Sequence, residues 1–465
     1  MTQEKKNYAL PIAMMFALFA MIAFVTGFTN PLGVIAKIEF GGLFQGNENL
    51  ISQLGTAANF LAYALMGIPA GLMIKKIGYR KTAIVAVVVG FFGVGLQFVS
   101  GNMSYGAMGT FVMYLFGALI SGFAMCMLNT VVNPLLNTLA GGGNRGNQLI
   151  QFGGTLNSTC ATIVPILVGW LMGAKYANAQ QALAEFQANG TPIPVDSQLS
   201  FLDAKLVMFI AMAIFALAFV VLSVMYIPEP AQEGSSASTV AAGKQKDKYS
   251  AFSFRHFKLG VLAIFFYMGI EVGVPNFINL ILTDKNFGAE SGILDMTTST
   301  AGSIVGTYWF LMLVGRLVGA LLGAKFSSRS QIAFVSSLCL LFVIIGMFTP
   351  MTSHVSMPVF NGTSFVMATV PAGIMFFVLV GLCSSVMWGG IFNMAVEGLG
   401  KYTAVASGCF MVMVCGGGVL PVLQGVLADG LGYTTSYVIT IICAAYILFY
   451  ALVGSKNVNK NIPVD

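Results

Sequence analysis

The sequence predicts an all-α membrane protein: twelve transmembrane helices in two pseudosymmetric six-helix bundles. Three observations predict it. Of the 465 residues, 57% are hydrophobic and only 8% are charged, whereas a soluble domain carries about 25% charged residues. Apolar runs long enough to cross a bilayer as helices recur from end to end. The chain also repeats itself weakly, one half against the other.

Apolar runs set against polar breaks place the spans near 9–36, 51–74, 81–100, 107–140, 146–174, 203–227, 258–283, 299–324, 330–349, 367–397, 402–428 and 434–454. The first follows Lys5 and Lys6 and is too long for a signal-peptide core, so it is expected to be retained. Pro228-Glu229-Pro230 stops the sixth span, and a polar stretch rich in Ser, Ala, Gln and Lys follows it. The expected organisation is a bundle over 1–227, a cytoplasmic linker over 228–257 and a second bundle over 258–465. A polar insert over 176–204 is expected outside, with a short surface helix before the breaker at Asn189-Gly190.

The placement of the basic residues decides the meaning of the net charge of +6. With a cytoplasmic N-terminus, Lys75, Lys76, Arg80, Lys81, Arg145, Lys244, Lys246, Lys248, Lys325, Arg329 and Lys401 all fall on the cytoplasmic side, and few basic residues fall outside. This is the asymmetry of membrane insertion. It accounts for the basicity without nucleic acid and puts both termini in the cytoplasm. The seven cysteines all sit in apolar runs and serve as small buried residues.

The repeat is carried by spacing. Arg145 precedes Pro165-Ile-Leu-Val-Gly169 by twenty residues, as Lys401 precedes Pro421-Val-Leu-Gln-Gly425. Likewise Gly67-Ile-Pro-Ala-Gly71, leading to Lys76 and Arg80, mirrors Gly315-Arg-Leu-Val-Gly319, leading to Lys325 and Arg329. Duplicated bundles of this kind are how many secondary carriers are built, with the solute held at the repeat interface. Common small residues at helix contacts are the plainer explanation, but spacing, topology and basic ends agree together.

An ionisable group at the bilayer centre costs about 2.5–3.5 kcal/mol on insertion scales, so each needs a partner, a cavity or a function. Glu271 lies midway between Lys258 and Asp284, near the bilayer midplane, and is the leading candidate for ion coupling. Arg316 is permanently charged and suits a structural or gating ion pair, with Glu397 as a candidate partner or helix-end charge. In-span carboxamides offer donor and acceptor together, as sugar hydroxyls require. They include Asn30, Asn59, Asn129, Gln151, Asn157 and Asn276, with Trp388 among the rings that can stack on a pyranose. Asn30-Pro31, Asn133-Pro134 and Gly416-Gly417-Gly418 mark spans one, four and eleven for bending. There is no Walker-type glycine loop and no HExxH or zinc-ligand spacing, and His256 and His354 lie far apart. No enzyme chemistry, cofactor or metal is expected.

Four segments carry a family resemblance: Gly67-Ile-Pro-Ala-Gly-Leu-Met-Ile-Lys75-Lys76, Asn129-Thr-Val-Val-Asn133-Pro134, Tyr267-Met-Gly-Ile-Glu271-Val, and Glu397-Gly-Leu-Gly-Lys-Tyr402 with the later Gly418 and Gln424 runs. Over most of its length the chain resembles the fucose–galactose–glucose/proton symporter branch of the major facilitator superfamily. The resemblance implies a monosaccharide importer of the bacterial inner membrane, working by alternating access. In the fucose symporter the first span carries an acidic residue before its proline and the fourth carries a Glu; here those positions are Asn30 and Asn129. The family's sugar-site Asn in span five matches Asn157.

The reading that follows is a monomeric sugar carrier with Asn30, Asn129, Gln151, Asn157, Asn276 and Trp388 as sugar contacts. Glu271 takes over coupling to H⁺ or Na⁺, and Arg316 and Glu397 serve as structural or gating charges. A sugar uniporter, or an efflux carrier of amphiphilic compounds on the same fold, is the alternative.

Overall fold

A computed structural model of the chain describes residues 8–27, 29–40, 48–102, 106–189, 200–225, 227, 249–283, 298–323, 325–459 and 461–464. The helices are α1 (Ala9–Gly27), α2 (Thr29–Phe40), α3 (Glu48–Asn102), α4 (Gly106–Leu139), α5 (Gly143–Asn189), α6 (Lys205–Val224), α7 (Arg255–Thr283), α8 (Thr298–Leu322) and α9 (Ser328–Phe348). After a β-hairpin come α10 (Ala372–Ser384), α11 (Met387–Val396), α12 (Thr403–Val412), α13 (Gly416–Leu431), α14 (Tyr433–Ser436) and α15 (Val438–Phe449).

Ten of the described helical stretches are long and apolar enough to span a bilayer. One of them, Ala57–Gly101, has 45 residues, about 68 Å at 1.5 Å per residue, twice the hydrocarbon thickness. It holds spans two and three, which turn at Gly78, where φ is 84°. A side chain is strained at such a φ, so the turn needs glycine. Span five lies within α5. With these two the helices make the twelve spans of the expected fold. Most of the expected linker lies outside the described residues.

By contact the chain divides into two compact units, Met1–Val132 with Leu156–Pro228, and Asn133–Thr155 with Glu229–Asp465. In the first, glycines let helices meet: a Cβ on Gly93 of α3 would collide with the Ser121 backbone of α4, and one on Gly90 with the Phe215 ring of α6. Pro31 of the first span falls within α2. Beyond the end of that span the Glu39 carboxylate accepts the Phe201 N–H at 2.7 Å. Burial pushes its carboxyl above the usual carboxylate range, against the lowering effect of that hydrogen bond.

In the second unit, spans ten and eleven are both interrupted. Span ten parts between α10 and α11 at Ser385 and Val386, and span eleven passes through a tight turn at Met413–Cys415 before Gly416. Gly416 lies against the Phe265 carbonyl of α7, closer than any Cβ would permit.

The segment between spans nine and ten departs from expectation. It forms an antiparallel hairpin, β1 (His354–Phe360) and β2 (Phe365–Pro371), running from His354↔Pro371 to Phe360↔Phe365. The tenth span therefore begins at Ala372, not 367. Asn361 Oδ1 accepts the Thr363 and Ser364 N–H groups at 3.1 and 2.8 Å and Gly362 takes φ 101°, which closes the turn. The hairpin is pinned to α8, because Phe360 N donates to Thr307 Oγ1 at 2.8 Å and Phe310 packs on Phe360 and Phe365.

Two outcomes are expected. Gly416→Leu forces α13 away from α7 and lowers stability in detergent by about 1–3 kcal/mol, as overpacked cores do, measured by thermal unfolding. Because the folded state raises the Glu39 pKa, folding takes up protons there and stability falls as pH rises through the folded value. Glu39→Gln keeps the acceptor but removes this slope, so its melting temperature falls less than the wild type's between about pH 5 and pH 7.

Candidate functional site

The second unit holds the charged part of the site. Glu271 stands on α7 one turn after Tyr267, and Arg316 stands on α8. The Arg316 guanidinium meets Glu271 Oε1 at 3.2 Å, and both side chains are largely buried, 11% and 15% exposed. Two charges out of water must be paired and further hydrogen-bonded, or the desolvation penalty of several kcal/mol per ion is not recovered. Arg316 meets this by donating from Nη1 to the Gly154 carbonyl at 3.3 Å and from Nε to the Ser385 carbonyl at 3.4 Å.

Ser385 is one of the two residues at the break in span ten. In a bilayer no water reaches a carbonyl released by a broken helix, so side chains must serve it. Arg316 serves Ser385, while the Val386 carbonyl accepts both the Gly390 N–H at 3.1 Å and the amide of Gln151 on α5 at 2.9 Å. Gly389 is bare where Gln151 lies, a Cβ there falling 2.9 Å from Nε2. The Gln151 amide nitrogen is thus engaged by the main chain.

Trp388, half-buried, leans on the fully buried Tyr267 ring at 6.1 Å and meets Phe410 edge-on at 5.8 Å. Asn276 follows Pro275 on α7 with an exposed side chain. Glu397 ends α11 with its side chain exposed, and it is its main-chain carbonyl that pairs with His256 Nε2 at 2.9 Å. The carboxylate partner of Arg316 is Glu271.

The first unit holds a neutral polar set. Asn129 Nδ2 on α4 donates to Tyr63 OH on α3 at 2.7 Å and to the Met125 carbonyl at 3.1 Å. Asn157 Nδ2 on α5 donates to the Phe19 carbonyl of α1 at 3.4 Å. Asn30 lies in the first turn of α2, and its side chain is outside the described residues. Each of these bonds uses a donor of the amide. Tyr63 was not singled out from the sequence; its signal was its place one turn beyond Asn59 within a span.

A model of the Major Facilitator Superfamily matches residues 12–420. The chain belongs to that superfamily. Its members are membrane carriers, not enzymes, and this carrier is similar over almost its full length to three relatives. It is 28% identical to a glucose/galactose transporter of Brucella abortus over 98% of this chain and 97% of that protein. It is 28% identical to a putative glucose/galactose transporter of Helicobacter pylori, over 97% and 98%. With the L-fucose-proton symporter of Escherichia coli K12 the identity is 22%, over 97% and 95%. The fold matches a crystal structure of the E. coli fucose:proton symporter with a TM-score of 0.74 at 21% identity, covering 97% of this chain and 100% of that one.

The Glu271–Arg316 pair sets a clear expectation for the carrier. Arg316→Met leaves a lone buried carboxylate and an unserved carbonyl, and costs about 3–5 kcal/mol of stability. In Arg316→Met with Glu271→Leu most of that loss is recovered, and a double-mutant cycle on thermal unfolding in detergent reads the coupling between the two side chains.

Proposed function

We propose that the protein imports a neutral monosaccharide of the glucose/galactose type across the cytoplasmic membrane by alternating access, coupled to the proton gradient through Glu271. The observation that carries the sugar assignment is the neutral set of the first unit, Asn129 with Tyr63 and the nearby Asn157. It is joined by full-length similarity to relatives named as glucose/galactose transporters. Carboxamides and a phenol offer alternating donors and acceptors, the pattern a polyol needs, and none would bind an ionic solute selectively. Trp388 supplies an aromatic face for the sugar ring, and Asn30 and Asn276 are assigned as further contacts. Gln151 belongs with them through its amide oxygen.

The coupling assignment rests on Glu271 being the acidic side chain held at membrane depth beside Arg316. Proton uptake by Glu271 breaks the ion pair, and the energy of that pair then differs between the protonated and unprotonated carrier. Such a difference is what ties a proton to a conformational change. The halves that move are assigned as 1–227 and 258–465, joined by the cytoplasmic segment 228–257, in a monomer with both termini in the cytoplasm of a bacterial inner membrane. Arg316 is the permanent charge of this device, and Glu397 is a helix-end charge on the cytoplasmic side.

One observation favours a second reading, uniport. Arg316 already balances the Glu271 charge, and Asn30 and Asn129 stand where the resemblance to the fucose symporter would place acids. Uptake of a radiolabelled monosaccharide panel into proteoliposomes, under proton and Na⁺ gradients imposed separately, distinguishes the two. The expected result is accumulation of glucose or galactose above equilibrium with a proton gradient alone, lost in Glu271→Gln while sugar exchange at equilibrium persists. Equilibration without accumulation in the wild type establishes uniport, and accumulation under Na⁺ alone moves the coupling to that ion.

A further inference from the structure

In the first unit, α1, α2, α3 and α4 enclose a cavity of about 10 Å³, the room that one water-sized oxygen needs. Its deep wall is polar. Gln97 of α3 and Tyr114 of α4 are 3% and 1% exposed. Neither Gln97 Oε1 nor the Tyr114 hydroxyl has a hydrogen-bond partner among the described residues. An orphaned buried acceptor and hydroxyl each cost about 1–3 kcal/mol, so a cavity lined by both calls for an occupant. Gln97 is held in place by its own amide nitrogen, which reaches Ser121 Oγ at 3.4 Å, and Ser121 in turn donates to the Ala118 carbonyl at 3.0 Å. A Cβ on Gly117 would press within 2.8 Å of Gln97 Cγ, so the glycine leaves room for this rotamer.

The rest of the lining fixes what the occupant looks like. Val25, Leu32 and Met125 are apolar, while Thr26, exposed, and Asn59, half-buried, are the lining residues that solvent reaches. Asn59 precedes Tyr63 by one turn of α3, and Met125 precedes Asn129 by one turn of α4, so the cavity adjoins the Asn129–Tyr63 pair assigned to sugar binding. The lining combines apolar side chains that suit a carbon with two orphaned polar atoms that suit one hydroxyl. A ring hydroxyl stands too close to its ring to reach a one-oxygen cavity while the pyranose stays outside. An exocyclic hydroxymethyl carries its oxygen one carbon further and rotates about that bond. Its methylene suits Val25, Leu32 and Met125, and its hydroxyl can donate to Gln97 Oε1 while accepting from Tyr114.

We infer that this cavity is a one-hydroxyl subsite that receives the primary hydroxyl of a hexose and selects hexoses over their 6-deoxy counterparts. The inference rests on the sugar reading above and deepens it. The same hydroxyl chemistry can come from a trapped water, which would satisfy Gln97 and Tyr114 without touching specificity.

Titration calorimetry on the full-length protein in detergent separates the two, with galactose against 6-deoxygalactose and glucose against 6-deoxyglucose. The wild type is expected to bind at least one hexose about 10–100-fold more tightly than its 6-deoxy form, the penalty of leaving buried polar groups short of a partner. In Tyr114→Phe, which keeps the ring packing, and in Gln97→Met, that ratio is expected to fall to within about threefold. Hexose binding by the wild type with a ratio near one, or a ratio that survives in Tyr114→Phe, overturns the subsite and leaves water as the occupant. Hexose binding absent altogether in the wild type overturns the sugar reading and the subsite with it.

Discussion

A charge pair taken into a bilayer has to be completed on all sides, and in this protein that demand organises the second unit. Arg316 has more donors than one carboxylate can use, so after Glu271 its remaining N–H groups turn to the carbonyls of Gly154 and Ser385. One guanidinium thereby ties α7, α8, the start of α5 and the break in span ten to a single point. The break and the arginine depend on each other. Without the break Ser385 has no reason to look for a donor, and without Arg316 the break exposes a carbonyl where water cannot serve it. Gln151 adds a second bond beside it, at the Val386 carbonyl that also accepts the Gly390 N–H.

The helices were legible because the bilayer enforces a simple rule, and hydropathy reports obedience to it. Glu271 and Arg316 were legible as individuals for the same reason, since a charge inside an apolar run stands out. That they pair with each other was not legible, because sequence separation between two spans carries no information on which faces meet. The likelier-looking neighbour Glu397 is exposed, and its carbonyl, not its carboxylate, takes part in packing. The hairpin was missed by hydropathy, which extended span ten back to 367. The signal present was local: Asn361-Gly362 between two runs rich in Val, Met and Phe is a turn between alternating strands.

The cavity beside Asn129 shows the opposite failure. Gln97, Tyr114 and Ser121 are unremarkable one by one, each explicable as bundle glue. Only α3 and α4 packed together reveal that Gln97 spends its donor on Ser121 while its acceptor has no partner among the described residues. Carboxamides are informative in a membrane protein through what they leave unsatisfied, and that remainder is a tertiary property.

The two units divide the chemistry by charge. The neutral amides and the phenol of the first unit can pair with hydroxyls, and nothing in the set carries net charge. The second unit instead holds the Glu271–Arg316 ion pair, whose energy changes when a proton reaches the carboxylate. Under the proposed coupling through Glu271, a proton acts on the carrier through the energy of this pair and so through the conformations it favours.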